Sequence, residues 1–357
     1  MKLAASFTIE YVQCLDTQGE PLGELPALAQ QLPELRDLYQ RMSYLRVFDA
    51  KAIALQRTGK LGTYASALGH EAAHVGIGSA MRPEDCFAPM YREYGAQFYR
   101  GVQPREVLMY WGGDERGNQF SGVQHDFSWC VPISTQCLHA AGAAMAFKLR
   151  KEPRVAVCVC GDGGTSKADF YGALNIAGAQ NLPLVLVIVN NGWAISVPRH
   201  MQSGAETLAQ KAIAGGLYGV QADGNDLLAV RQVMDAALSK ARAGDGGSVV
   251  ELVTYRLGDH TTADDARRYR PEVEVKDAWA KEPLHRLRQF LSARDAWSEA
   301  QESAWLAECG RLVDIEVEAY LALAPPPTSA MFDYLYAELP LDLQTQRAEA
   351  IAWSRAN

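Results

Sequence analysis

No apolar run in this sequence approaches the ~18 residues that a membrane-crossing helix needs, so nothing in it reads as a membrane span. Basic residues are in deficit. The 34 Lys and Arg stand against 42 Asp and Glu, a net charge of −8, which argues against a nucleic-acid binder built on overall charge. The first 35 residues hold one Lys and no Arg alongside Glu10, Asp16, Glu20 and Glu24. That is the wrong chemistry for a secretory or transit peptide, and a cytoplasmic protein is expected. Cysteines are few, odd in number and scattered: Cys14, Cys86, Cys130, Cys137, Cys158, Cys160 and Cys309. They read as reduced thiols of a cytosolic chain, not as a disulfide framework. Cys158 and Cys160 alternate with valines in RVAVCVC, which puts both on one face of a buried strand. No internal repeat is present, and no low-complexity tract beyond Pro325–Pro327.

The 357 residues are 48% hydrophobic and 21% charged, the balance of a globular protein. The length exceeds the roughly 250–300 residues that one core supports, so a large domain with appendages is expected. From Ala27 to Thr58 apolar residues recur at helical spacing until Gly59 stops them, and a second helix is predicted from about His70 to Met81. Gly112–Gln124 reads as a polar loop, and Thr135–Arg150 as a tightly packed helix rich in small residues. The centre alternates. Strands are predicted over Arg154–Cys160, Leu184–Val189, Gly219–Ala222 and Ser248–Tyr255, with helices over Ala168–Gln180 and Leu227–Ala243. Such βαβ units, with right-handed crossovers, imply an α/β fold: a parallel sheet with helices on both faces. The sequence divides into an N-terminal extension over 1–25, an α/β domain with N-terminal helices over 26–270, and a C-terminal helical region over 271–357 packed on the same domain.

Two segments carry chemistry: GDGGTSKADF (161–170) and VNNGWAIS (189–196). Each begins where a predicted strand ends, and ligands of open parallel sheets bind outside the strand carboxyl ends. Asp162 and Asn191, 29 residues apart, should therefore face each other across that edge. Gly161, Gly163 and Gly164 are expected to let the backbone turn sharply and let phosphate oxygens approach amide N–H groups. One carboxylate and one carboxamide suit Mg²⁺, which takes few protein oxygens and fills its octahedron with diphosphate and water. The carbonyl near Trp193 is a reasonable third protein ligand. Neither a dinucleotide fingerprint nor a P-loop is present.

GDG followed about thirty residues later by NN is similar to the thiamine-diphosphate motif. Over residues 25–350 the chain resembles the alpha subunit of the decarboxylating component of 2-oxo acid dehydrogenase complexes, of the pyruvate and branched-chain kind. The stretches that carry the resemblance are GHEAAHVGIG (69–78), MYREYG (90–95), PISTQ (132–136), GDGGTSKADFYGALN (161–175), NNGWAIS (190–196), VQADGND (220–226), TYRLGDHTTADDARRYR (254–270) and MFDYLYAELP (331–340). The resemblance implies a thiamine diphosphate-binding fold with Tyr91 and Arg92 on the diphosphate. It implies backbone at Val131 and Ile133 against the aminopyrimidine. Asp162, Asn191 and the Trp193 carbonyl would bind Mg²⁺, and Gly163 and Gly164 the diphosphate. It places Arg256 and His260 in a loop that closes over the site, with His260 also at the cofactor and handling protons and lipoyl transfer.

The residues agree where they can. Arg92 is a cation suited to phosphate, and Leu257–Tyr269 is polar with little to bury, so it reads as a mobile loop that orders around a ligand. Asp259 departs from relatives that carry His or Pro there. Thr261 stands where regulated eukaryotic relatives carry a phosphorylated Ser, and no kinase regulation is expected. Pro132, Thr135 and Gln136 resemble a potassium-binding turn of branched-chain relatives; a packing turn is the alternative reading.

Activating the cofactor needs a carboxylate on its pyrimidine nitrogen, and no second sheet domain is evident to supply one. A beta chain is therefore expected, in a tetramer of two alpha and two beta chains, with a lipoyl-bearing acyltransferase component as the next partner. The expected substrate is pyruvate, because the Gly62–Tyr64 segment and the long N-terminal helix most resemble those of bacterial pyruvate enzymes. Branched-chain 2-oxo acids come second, from PISTQ and VQADGND, and acetoin third. Two readings of other classes stand beside these. His70-Glu71-Ala72-Ala73-His74 matches the H-E-x-x-H zinc motif, with Glu93 as a third ligand, but it lies inside stretches that the family resemblance explains. A non-catalytic assembly subunit is argued against by intact Asp162, Asn191, Arg92 and His260.

Overall fold

The computed structural model describes residues 1–356. Strand β1 (Glu10–Val12) comes first, then helix α1 (Leu32–Arg57), entered through Pro33 and closed by Gly59 at φ +72°. Helix α2 (Glu71–Ala80), strand β2 (Cys86–Ala88) and helices α3 (Tyr94–Arg100), α4 (Pro104–Trp111) and α5 (Thr135–Arg150) follow. The alternating centre is β3 (Ala156–Gly161), α6 (Ala168–Ala179), β4 (Leu184–Asn190), the two-residue strands β5 (Trp193–Ala194) and β6 (Val197–Pro198), α7 (Arg199–Gln202), α8 (Lys211–Ala214), β7 (Tyr218–Asp223), α9 (Leu227–Ala243) and β8 (Ser248–Val253). Helices α10 (Glu272–Trp279), α11 (Pro283–Ser292), α12 (Glu299–Leu321), α13 (Ala330–Asp333) and α14 (Leu341–Ala356) complete the chain.

Six strands form one parallel sheet in the order β1-β7-β8-β4-β3-β2. Period-two alternation sorts its side chains. Val155, Val157 and Val159, with Val185, Val187 and Val189, enter the core under α1, α2, α9 and α11. Ala156, Cys158 and Cys160, with Leu184, Leu186 and Ile188, enter the opposite core under α5, α6 and α8. Both faces are therefore covered, which is why these strands read as continuous apolar runs. A third cluster joins α1, α3 and α4 to Val313 and Val317 of α12. All seven cysteines are free thiols, and Cys158 and Cys160 lie in one core as the alternation predicts.

Two strands of the six-stranded sheet escape the sequence reading because three residues are too few for a period to show, as do the two-residue β5 and β6. β2 closes one edge beside β3, and β1 closes the other beside β7. Residues 10–12, assigned from sequence to an N-terminal extension, are thus part of the sheet. Asp226 holds them there. Its side chain caps α9 by accepting from Leu228 N (3.0 Å) and Ala229 N (3.3 Å), and it also accepts from Cys14 N and Leu15 N, each at 2.7 Å.

Asp226 is fully buried, so its loss strands four backbone donors. Asp226→Ala is expected to cost roughly 2–4 kcal/mol in urea unfolding and to expose residues 1–20 to protease. Unchanged stability would contradict this clasp.

Candidate active site

The parallel register pairs Gly161 of β3 with Val189 of β4, so the turns that leave these strands emerge side by side. Asp162 opens a tight turn over 162–166, and the Asn191 backbone N–H faces its carboxylate. Asp162 is 2% exposed, and its Oδ2 has no hydrogen-bond partner. Burial pushes this carboxyl up to about 6, against the pull of the Asp162 and Asn191 amides and of the Arg256 and Arg199 charges. A buried carboxylate oxygen without a donor is costly, and a cation in front of it would repay that cost. The Asn191 side chain accepts from Trp193 N at 3.2 Å, and the Trp193 carbonyl turns toward Arg256 Nη1 at 3.3 Å.

The glycines of this turn are needed for a reason other than the expected sharp bend. Gly161, Gly163 and Gly164 all have negative φ. A Cβ on Gly163 would stand 2.6 Å from the Ala194 Cβ, and one on Gly164 would stand 2.8 Å from Ser134 Oγ. Close approach of three loops, not a left-handed backbone, demands glycine at 163 and 164, whereas Gly161 has room for a side chain. Ser134 Oγ donates to Gly164 O at 2.7 Å and draws the 131–134 segment onto the turn. Val131 and Ile133 sit on that rim with side chains 49% and 36% exposed.

Three buried cations gather around the 256–260 segment, and the charge of one of them, Arg256, acts on Asp162. Arg92, Arg256 and Arg270 are buried, and among the described residues none of them pairs with a carboxylate. Arg92 donates to the carbonyls of Ser66 and His260, the latter at 2.8 Å. Arg256 donates to Ile195 O at 2.8 Å and to the Tyr269 hydroxyl at 2.7 Å. Burial, with Arg92 and Arg270 alongside, lowers the Arg256 pKa in spite of Tyr269. Unpaired buried guanidiniums are a site for an anion, and phosphate oxygens match their donors.

His260 sits among them. Its Nδ1 lies 3.4 Å from both Arg92 Nη2 and Arg256 Nη1, and its Nε2 lies 3.4 Å from the Tyr91 hydroxyl. Burial, then the charges of Arg92 and Arg256, hold it down at about 4, so it is neutral at pH 7. With donors on the Nδ1 side, the network assigns the ring proton to Nε2, toward Tyr91.

The loop expected to be mobile is seated. Thr262 N donates to Tyr64 O at 2.8 Å, Tyr64 N donates to Thr262 Oγ1 at 3.0 Å, and Leu257 N donates to Leu68 O at 3.2 Å. The seat, residues 62–68, is held by Asp49 of α1. This fully buried carboxylate accepts from Tyr64 OH, Ser66 Oγ and Ala67 N within 2.9 Å. Burial raises it to about 6 in spite of those bonds. Sequence reasoning missed Asp49. The available signal was an acid on the apolar side of a helix, between Phe48 and Ala52.

Other expected features are placed elsewhere. Thr135 N donates to Pro132 O at 3.2 Å, and Gln136 Nε2 donates to Val159 O at 2.7 Å, while Gln136 Oε1 is buried without a partner. His70 and His74 lie with tilted rings, centroids 5.5 Å apart, fully buried. Burial lowers both, His74 to about 3. Glu93 spends Oε2 on Met90 N at 2.8 Å and on Arg92 N at 3.4 Å. No group of three or more His, Cys, Asp or Glu among the described residues is arranged to hold a metal, so these three do not form a zinc centre.

Comparison with known proteins identifies the family. Residues 39–323 match the family described as dehydrogenase E1 component. The chain is 40% identical over 351 residues to the 3-methyl-2-oxobutanoate dehydrogenase subunit alpha of Mycobacterium tuberculosis, covering 96% of this chain and 94% of that one. It is 37% identical to the pyruvate dehydrogenase E1 component subunit alpha of Staphylococcus aureus over 340 residues, 94% of this chain and 91% of that one. It is 35% identical to the protein of that name in Mycoplasma pneumoniae over 338 residues, 95% of this chain and 94% of that one.

Because the seated His260 has a lowered pKa, the released loop takes up the proton more readily. The seat therefore loses stability as pH falls from about 6.5 through about 4. Hydrogen exchange of amides 258–266, corrected for intrinsic rate, is expected to accelerate across that window, and His260→Gln should flatten the dependence. A pH-independent loop would contradict the assignment.

Proposed function

The chain belongs to the dehydrogenase E1 component family, the alpha subunits of thiamine-diphosphate-dependent 2-oxo acid dehydrogenases, and from this premise we propose that it is the alpha subunit of an acetyl-transferring pyruvate dehydrogenase. In this reading it works with a beta subunit, as two chains of each, to decarboxylate pyruvate and pass the acetyl group to a lipoyl domain of an acyltransferase. One observation carries the site assignment. A buried carboxylate oxygen without a donor lies within electrostatic reach of the buried Arg256, which has no acid partner and shares His260 with Arg92.

The residues fit a magnesium-bridged diphosphate. Asp162, Asn191 and the Trp193 carbonyl would hold Mg²⁺, the last by exchanging its contact with Arg256. Arg92 and Tyr91 would meet the diphosphate together with the backbone at Gly163 and Gly164, and Arg256 would add charge from the loop. Backbone at Val131 and Ile133 would line the aminopyrimidine. When bound, thiamine diphosphate supplies a thiazolium carbon that adds to the 2-oxo carbon and holds the electrons left by CO₂. Neutral His260, with its Nε2 proton beside Tyr91, is suited to donate to a developing alkoxide and to take a proton back during acyl transfer. The seated 257–270 loop excludes water from that exchange. The described residues build one large sheet, so the carboxylate that activates the pyrimidine would come from the beta chain.

A branched-chain 2-oxo acid substrate is the second reading. The M. tuberculosis relative at 40% identity favours it, and so does the PISTQ turn. There the unpartnered Gln136 Oε1 and the Pro132 carbonyl offer oxygens to K⁺ beside Thr135. The packing role of Gln136 toward Val159 is compatible with either substrate.

Co-expression with a candidate beta chain from the same genome tests both. The alpha chain alone is expected to be inactive. The complex should prefer pyruvate over 3-methyl-2-oxobutanoate by at least roughly ten-fold in kcat/KM. Reversal of that ratio would replace pyruvate by the branched-chain substrate, and no decarboxylation with any 2-oxo acid would favour a non-catalytic assembly role. Asp162→Ala should lower activity at least about 100-fold and abolish its dependence on added Mg²⁺.

A further inference from the structure

Behind the 162–166 turn lies a buried cation that the proposed site does not use. Lys211 of α8 is 8% exposed. Its ammonium donates to Thr165 Oγ1 at 2.8 Å and to Thr165 O at 2.9 Å, and it lies 5.2 Å from the Tyr171 ring centroid. No salt bridge among the described residues includes it. Buried lysines are ordinarily paired with an acid, so a lysine spent on a hydroxyl and a carbonyl needs another reason to be there. Thr165 is fully buried, and its Oγ1 donates onward to Asp162 O at 2.8 Å. The chain Lys211–Thr165–Asp162 therefore spans the turn from its back to the residue that faces Asn191.

The platform beneath is rigid. Glu251, fully buried on β8, accepts from Leu208 N (2.8 Å) and Ala209 N (2.9 Å), just before α8. The same carboxylate accepts from Asn190 Nδ2 (2.7 Å) and Gln221 Nε2 (3.0 Å). One carboxylate thus ties the segment that carries Lys211 to the residue next to Asn191. The two halves of the site are fixed to each other from below.

We propose that Lys211 is a positioning residue. By gripping Thr165 it sets the 162–166 turn so that Asp162 meets Asn191, and its charge favours an anion beyond the turn. This rests on the reading of 162 and 191 as a magnesium–diphosphate site. Thr165 O is held, so the peptide plane between 165 and 166 is fixed, and with it the direction of its N–H. A methionine in place of Lys211 fills the same space with neither donor nor charge, whereas arginine keeps the charge and a donor.

The test uses the purified alpha–beta complex, stripped of cofactor, with K211M, K211R and T165V beside wild type. Tryptophan fluorescence follows thiamine diphosphate binding at fixed Mg²⁺, a Mg²⁺ titration gives half-saturation, and Tm is measured without cofactor. K211M is expected to raise the thiamine diphosphate Kd and the Mg²⁺ half-saturation about ten-fold or more, with kcat at saturating cofactor nearly unchanged. T165V should behave similarly, the double variant should be no worse than K211M, and K211R should recover most of the affinity. Wild-type affinity in K211M overturns the proposal while leaving the site reading intact. Lowered cofactor-free Tm with no recovery in K211R also overturns it, as a purely structural role. A wild-type complex that binds no thiamine diphosphate overturns the site reading itself.

Discussion

The pairing of β3 with β4 is the constraint on which the rest of the site depends. Six consecutive residue pairs, from Ala156 with Leu184 to Gly161 with Val189, leave no freedom in where the two strands end. A one-residue slip would turn Val157 and Val159 out of one core and Cys158 and Cys160 out of the other. The packing of both sheet faces therefore fixes the register, and the register places Asp162 beside Asn191. The geometry of the proposed site is inherited from the hydrophobic cores.

Around that edge the protein keeps charges apart that would be satisfied if they met. Asp162 is buried with a free oxygen, and Arg92, Arg256 and Arg270 are buried with carbonyls for company. Elsewhere the same chain pairs such groups readily, as Arg286 does with Asp223 at 2.6 Å and Arg100 with Asp126 at 2.6 Å. Buried, mutually unpaired charges of both signs are what the proposed reading, a metal cation with its phosphates, would satisfy.

Much of this was legible in the sequence where a long period or a rare spacing carried it. The helices over 135–150 and 227–243 were predicted to the residue, and the GDG and NN segments pointed at each other as strand ends. What was not legible depends on partners far away in sequence. β1 and β2 are three residues each and become strands only because a neighbour offers its edge. The seat at 62–68 exists because Asp49 collects three donors that no local pattern announces. The 257–270 loop looked mobile from composition because its stability is borrowed from that seat. The glycines at 163 and 164 were found, but the neighbours that crowd them, Ala194 and Ser134, were not legible, since a sequence shows which residue lacks a side chain and not what stands beside it.

The clasp of Asp226 on Cys14 and Leu15 joins residues 212 and 211 positions apart. During translation the opening segment leaves the ribosome long before either β7 or Asp226 has been made. It must wait, unpaired, through the synthesis of the 212 positions that separate Cys14 from Asp226, so β1 stays an open strand edge over that whole stretch and pairs only when β7 appears.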